Sequence, residues 1–145
     1  MRPKDRIELS GPNGSGKSTL VRHIIGSQAL TADQLIYLPQ EVSAEDSARI
    51  IRELASPSLS PGEVRKVLLA IGISRVPHFT VMFEPTNQRD LPSIECLAAA
   101  LSACEFGLLL VSHDTAFIEG HSDTRWEIAD LPEGSARMRI LPGKT

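Results

Sequence analysis

The stretch "RIELSGPNGSGKSTLVRHIIG", Arg6 to Gly26, decides how the chain is read. Arg6 to Leu9 is a short strand-like run that breaks into a glycine-rich segment. Beyond that segment Leu20, Val21, Ile24 and Ile25 recur at helical spacing until Gly26, which is expected to stop the helix. The order is strand, loop, helix. Between strand and helix, Gly11-Pro12-Asn13-Gly14-Ser15-Gly16-Lys17-Ser18 fits G-x-x-x-x-G-K-[ST] at every fixed position. Glycines let the backbone curl so that successive N–H groups face phosphate oxygens, and the first helical turn adds its partial positive end. Lys17 is expected to neutralise the outer phosphates of a nucleotide, and Ser18 to offer its hydroxyl to magnesium. Gly11 through Thr19 are therefore the expected nucleotide-binding residues. The competing reading is a glycine-rich turn with an incidental lysine, and the strand before it and the helix after it argue against that.

Outward from this segment, "LIYLP" (Leu35 to Pro39) reads as a second strand. Ser43 can cap a helix whose apolar face is Ile50, Ile51 and Leu54, before the break at "SPSLSP". "FTVMF" (Phe79 to Phe83) and "GLLLVS" (Gly107 to Ser112) are near-continuous apolar runs, as in strands buried on both faces of a parallel sheet. Between them "PSIECLAAALSAC" predicts a helix with Ile94, Leu97, Ala98 and Leu101 inward. At the end, "TRWEI" and "ARMRI" are two short strands that can pair around "LPEGS". Strands alternating with helices predict an α/β fold, a mostly parallel sheet flanked by helices.

A chain of 145 residues reads as one domain, residues 1–145, able to bury about 70% of the surface that its unfolded form exposes. A net charge of -3 supplies no large basic field to recruit nucleic acid or a membrane surface. Cys96 and Cys104 lack metal-ligand spacing and are expected to be ordinary buried thiols. His23 and His121 are expected to be surface or local packing residues. The N-terminal "MRPKDRIELSG" has no apolar core, and no window approaches a membrane-spanning run. The expectation is a cytoplasmic chain without membrane insertion.

Four further segments follow the phosphate loop in a fixed order: "YLPQE" (Tyr37 to Glu41), "LSPGE" (Leu59 to Glu63), "EPTN" (Glu84 to Asn87) with Asp90, and "VSHD" (Val111 to Asp114). In this order they are similar to the Q-loop, signature, Walker B with D-loop, and H-switch of ATP-binding cassette domains. The resemblance extends over nearly the whole chain. "YLPQE", "LSPGE" and "EPTN" followed by an aspartate look closest to the F subfamily, whose members carry two tandem cassettes and no membrane domain, many acting on ribosomes. "DLPSIECL" (Asp90 to Leu97) is similar to the second cassette of bacterial members.

The resemblance implies ATP and magnesium as ligands. It implies that Gln40 senses magnesium and the γ-phosphate, joining Ser18 at the metal. Glu84 would polarise the attacking water, and His113 would hold that water and the γ-phosphate in line. Ser60, Gly62 and Glu63 would grip the γ-phosphate of an opposite cassette, so a homodimer or a second cassette is implied. Ribosome contact enters only through the resemblance, and no basic, aromatic-rich segment supports it. Taken singly, Gln40 reads as a turn residue, Glu84 as a solvated strand end and His113 as the neighbour of a helix cap. The signature also reads without any family: Ser60, Pro61 and Glu63 make a capping box that opens a helix carrying Val64, Val67, Leu68 and Ile71. A small-substrate kinase would leave "LSPGE" and "VSHD" without a role.

Three departures shape the expected function. The resemblance places at Phe83 the aspartate that orients magnesium's water shell, and loss of such a contact costs about 10- to 100-fold in metal affinity or activity. Strand alternation would also turn Glu84 to the face opposite Phe83. The stretch from Gln40 to Leu59 is shorter than the several-helix arm of the family, and the residues before Gly11 leave no room for its early strands and adenine-stacking aromatic. The expectation is ATP binding with weakened magnesium dependence and slow hydrolysis to ADP and phosphate in a dimeric sandwich. The alternative is a nucleotide-binding module, or truncated remnant, that holds ATP without turnover.

Overall fold

The computed structural model describes residues 4–27, 31, 34–39, 45, 48, 60–74, 77–87, 89–130 and 136–142. Within them the chain runs through β1 (Arg6–Ser10), α1 (Lys17–Ser27), β2 (Leu35–Leu38) and α2 (Pro61–Ser74). It continues through β3 (Phe79–Phe83), α3 (Leu91–Ala103), β4 (Gly107–Val111), α4 (Thr115–His121), β5 (Thr124–Asp130) and β6 (Ala136–Pro142). The strands form a six-stranded sheet in the order β2-β3-β4-β1-β5-β6. All neighbours pair parallel except the antiparallel β5–β6 hairpin at one edge. This is the mostly parallel, helix-flanked sheet that the alternating pattern predicts.

Every residue of β3 and β4 is buried, because helices cover both faces of the sheet there. On one face Ile7, Leu9, Val81, Phe83, Leu109, Val111 and Ile128 pack under α1, which contributes Leu20, Val21, Ile24 and Ile25. On the other, Leu38, Met82, Leu108 and Leu110 pack under α2, α3 and α4 through Leu69, Leu97, Leu101, Phe117 and Ile118. Ile94 and Ala98 join this second cluster, as the helical spacing of α3 predicts. Residues two apart on a strand therefore serve opposite layers from those between them, which is the period of a pleated strand.

Several elements differ from the sequence reading. Helix α1 runs past Gly26 to Ser27, whose hydroxyl donates to the carbonyl of Ile24 at 3.0 Å. The two terminal strands are each two residues longer than predicted, because pairing continues to Thr124↔Pro142 at one end and Asp130↔Ala136 at the other. Cys96 is exposed and Cys104 half-buried, so neither is a fully buried thiol. Cys96 sits on the outward side of α3, and Cys104 follows its last turn. His121 is a packing residue as expected: its ring stacks on Phe117 with centroids 4.6 Å apart, and its nitrogens lie 2.8 Å from Phe117 O and 3.2 Å from Ala98 O. It joins the end of α4 to the middle of α3. The expected helix after Ser43, with Ile50, Ile51 and Leu54, lies outside the described residues.

Candidate nucleotide-binding site

The carboxyl ends of β1, β3 and β4 open on one cleft of about 870 Å³. That is where open parallel sheets place ligands, because the chain leaves each strand there to enter a loop. After β1 the cleft is lined by Asn13, Gly14, Gly16, Lys17, Ser18 and Thr19. Gly11 and Pro12 shape the loop from behind, and Ser15 is buried within it. Gly14 and Gly16 adopt φ of 83° and 90°, a region that side-chain-bearing residues avoid, and so turn the backbone back on itself. Helix α1 begins at Lys17, and its first amide groups have no acceptor inside the helix. Lys17 folds back over the loop, its Nζ donating to Gly11 O at 2.7 Å and to Pro12 O at 2.9 Å. The result is a cationic head above a ring of backbone donors, which suits a polyphosphate.

Opposite the loop lie Phe83, the last residue of β3, with Glu84, Thr86 and Asn87 after it, and Val111, the last residue of β4, with His113 and Asp114 after it. Glu84 and His113, far apart in sequence, meet here: the His113 amide lies 3.4 Å from Glu84 Oε2 and its Nε2 lies 3.6 Å from Glu84 Oε1. The Glu84 side chain is largely buried while that of His113 is mostly exposed, so one faces inward and the other reaches toward solvent. The alternation expected between Phe83 and Glu84 does not hold. The strand ends at Phe83, Glu84 takes a φ of 44°, and this left-handed bend brings both side chains to the same cleft. Glu84 N still donates to Val111 O at 2.7 Å, which fixes the bend to the end of β4. Asp114 caps α4, accepting from Phe117 N at 3.0 Å, and so sets the turn that carries His113.

The chain is similar to known proteins. The ABC transporter family profile matches residues 1–56. Mouse ATP-binding cassette sub-family F member 2 is 30% identical over 83% of this chain and 26% of its own length. The ATP-binding protein Uup of Caulobacter vibrioides is 31% identical over 79% of this chain and 26% of its own. This is an ATP-binding cassette (ABC) ATPase domain. It spans about a quarter of the length of these curated relatives. The alignment to the mouse protein takes 161 positions, more than the 145 residues of this chain, so that relative carries insertions within the matched region. Among solved structures, an ATP-binding subunit of an ABC transporter superposes with TM-score 0.67 at 20% identity, over 87% of this chain and 75% of its own. An archaeal ABCE1 in a ribosome-bound assembly with Pelota superposes with TM-score 0.70 at 22% identity, over 98% of this chain and 31% of its own. These two share the fold.

In cassette terms, the signature residues lie outside the cleft. Ser60 and Glu63 form the predicted capping box at the start of α2: Ser60 N donates to Glu63 Oε2 at 2.8 Å and Glu63 N to Ser60 Oγ at 3.3 Å. The carboxyl of Glu63 is held below its ordinary range first by the Ser60 hydroxyl and then by the Ser60 amide. Gly62 belongs to the same first turn. Lys66, one turn further along α2, reaches the D-loop Asp90 at 3.4 Å, and Ser93 also donates to that carboxylate. Gln40 lies outside the described residues. Thr86, Asn87, Val111 and Asp114 line the cleft without having been singled out from sequence, although each sits in a quoted motif or at a strand end.

Magnesium, which the family implies, finds few donors. Ser18 offers one hydroxyl, and among the described residues no cluster of three or more His, Cys, Asp and Glu could hold a metal. Phe83, where the family resemblance would put the Walker B aspartate, is buried, and its ring meets Tyr37 edge-on with centroids 6.1 Å apart. Among the described residues two carboxylates line the cleft: Glu84 turns both oxygens toward His113, and Asp114 accepts from Phe117 N through Oδ1 as the cap of α4. Magnesium is bound through one or two carboxylates plus substrate phosphates, with its remaining waters hydrogen-bonded. The described residues, which do not include Gln40, do not fit it.

Proposed function

We propose that this chain is a single cytosolic ATP-binding cassette domain that binds ATP in the cleft and turns it over slowly to ADP and phosphate. One observation carries the reading: a glycine loop closed by Lys17 faces, across one cleft, the paired side chains of Glu84 and His113. The loop amides of Gly11 through Thr19 and the Lys17 ammonium bind the phosphates, and Ser18 stands beside them. Glu84, held in place by the backbone bend, orients and polarises a water, and His113 holds that water against the terminal phosphate. Gln40 is assigned the sensing position between them on family resemblance. The chain works in pairs, with Ser60, Gly62 and Glu63 of one cassette closing on the nucleotide of a homodimeric copy or of a second cassette. Among the described residues no helix is long and apolar enough to cross a membrane, in keeping with action away from the bilayer.

Titration calorimetry with ATP tests the binding step. Lys17→Ala removes a charge-assisted donor and is expected to weaken binding by at least about 10-fold. Equal heats from both proteins, or none from either, sink the reading. Glu84→Gln tests the chemistry: it keeps the shape, removes the base, and should abolish phosphate release while ATP still binds. Release that continues unchanged would remove Glu84 from catalysis.

Phe83 favours a second reading, in which the chain holds ATP without turnover. Bound ATP with no phosphate released at high protein concentration would establish this form in place of the enzyme.

A further inference from the structure

The poor fit to magnesium has a positive counterpart in the same cleft. We propose that the site takes the nucleoside triphosphate as its metal-free anion, in preference to the magnesium complex. The inference rests on the ATP-binding reading above and names the species bound. Magnesium on a nucleotide keeps several waters, each of which needs an acceptor from the protein. Phe83 lines the same cleft as Ser18, and its side chain carries no oxygen to accept from such a water. That ring cannot easily turn away. It is 7% exposed, belongs to the cluster formed with Val21 and Val111, and is braced by Tyr37 at an interplanar angle of 82°. Of the two described carboxylates that line the cleft, Glu84 has its oxygens directed at the His113 amide and ring, and Asp114 Oδ1 accepts from Phe117 N at the cap of α4.

The loop side of the site attracts negative charge. Lys17 Nζ, the reversed glycine backbone and the open amides at the start of α1 all act on phosphate oxygens. The metal-free triphosphate presents its full charge to them, whereas magnesium offsets part of that charge and brings waters for which the Phe83 side chain has no acceptor. The protein then competes with the metal for ATP.

The test is binding of ATP to the intact chain in excess EDTA and in excess magnesium at matched ionic strength. Affinity in EDTA tighter than in magnesium is expected. Equal affinity in the two buffers, or any tightening by magnesium, overturns the proposal. A second readout needs no variant: added to manganese–ATP, the protein should raise the free-manganese signal in electron paramagnetic resonance, and a fall in that signal overturns the idea. Phe83→Asp should create a magnesium preference of about 10- to 100-fold if the variant folds. Binding seen only with magnesium sinks this inference and leaves the ATP reading standing. Absence of binding in both buffers sinks both.

Discussion

A Cβ on Gly11 would lie 2.8 Å from the carbonyl oxygen of Ile128 and 2.9 Å from Ser15 Oγ, at a backbone φ of 151°. Both obstacles are firm, since one is the backbone of β5 and the other a hydroxyl buried inside the loop. Gly11→Ala must therefore push the loop off the sheet or hold a strained backbone, at a cost of about 1–3 kcal/mol. A lower thermal midpoint together with weaker ATP binding is expected, and an unchanged midpoint would show that the loop yields freely. The glycine was legible in the sequence because the motif fixes its place. The conformation of Glu84 was not. Pro85 biases the residue before it toward extended backbone, yet Glu84 sits at a φ of 44°. Local preference loses there to the contact of Glu84 N with Val111 O, a partner supplied by a different strand.

Helix α2 shows what local signals can settle by themselves. Ser60 and Glu63 exchange hydrogen bonds across the first turn as their spacing predicts, and Ser60→Ala should cost about 1 kcal/mol in urea unfolding at neutral pH. The pH dependence follows from the lowered Glu63 pKa, caused first by the Ser60 hydroxyl. A carboxyl whose folded pKa lies below its unfolded value stabilises the protein above the unfolded value. It loses that contribution as pH falls through the folded one. The gap in stability between the natural protein and Ser60→Ala should thus narrow in acid, and a gap that stays constant or widens would break the link to Glu63. Other boundaries depended on partners that the sequence does not display. Gly26 would end α1, but Ser27 supplies the closing hydrogen bond. The β5–β6 hairpin runs to Pro142 because Thr124 is there to pair with it. For helix α4 the sequence shows the cap at Asp114 but not the extent of the helix, although Phe117 and Ile118 three and four residues on mark its buried side.

Across the whole molecule, the layers were legible and the meeting of parts was not. Apolar runs at β3 and β4 announce strands covered on both faces, but no local pattern states that β1 lies between β4 and β5. That order brings Lys17, Glu84 and His113 to one cleft. It leaves Ser60 and Glu63 out of the cleft, on a helix tied through Lys66 to Asp90 at the start of α3. On the proposed reading, Ser60 and Glu63 can act on a phosphate only if another cassette presents the nucleotide to them. ATP should therefore drive self-association, and sedimentation of the 15.8 kDa chain should shift toward twice that mass when ATP is added. Ser60→Arg places a bulky cation at the surface that would meet the partner, without touching Lys17 or the loop. It should keep ATP binding and stay monomeric with nucleotide. If Ser60→Arg pairs as readily as the natural protein, the signature is not part of the interface. If neither protein associates at saturating ATP, the cassette acts alone or needs a different partner.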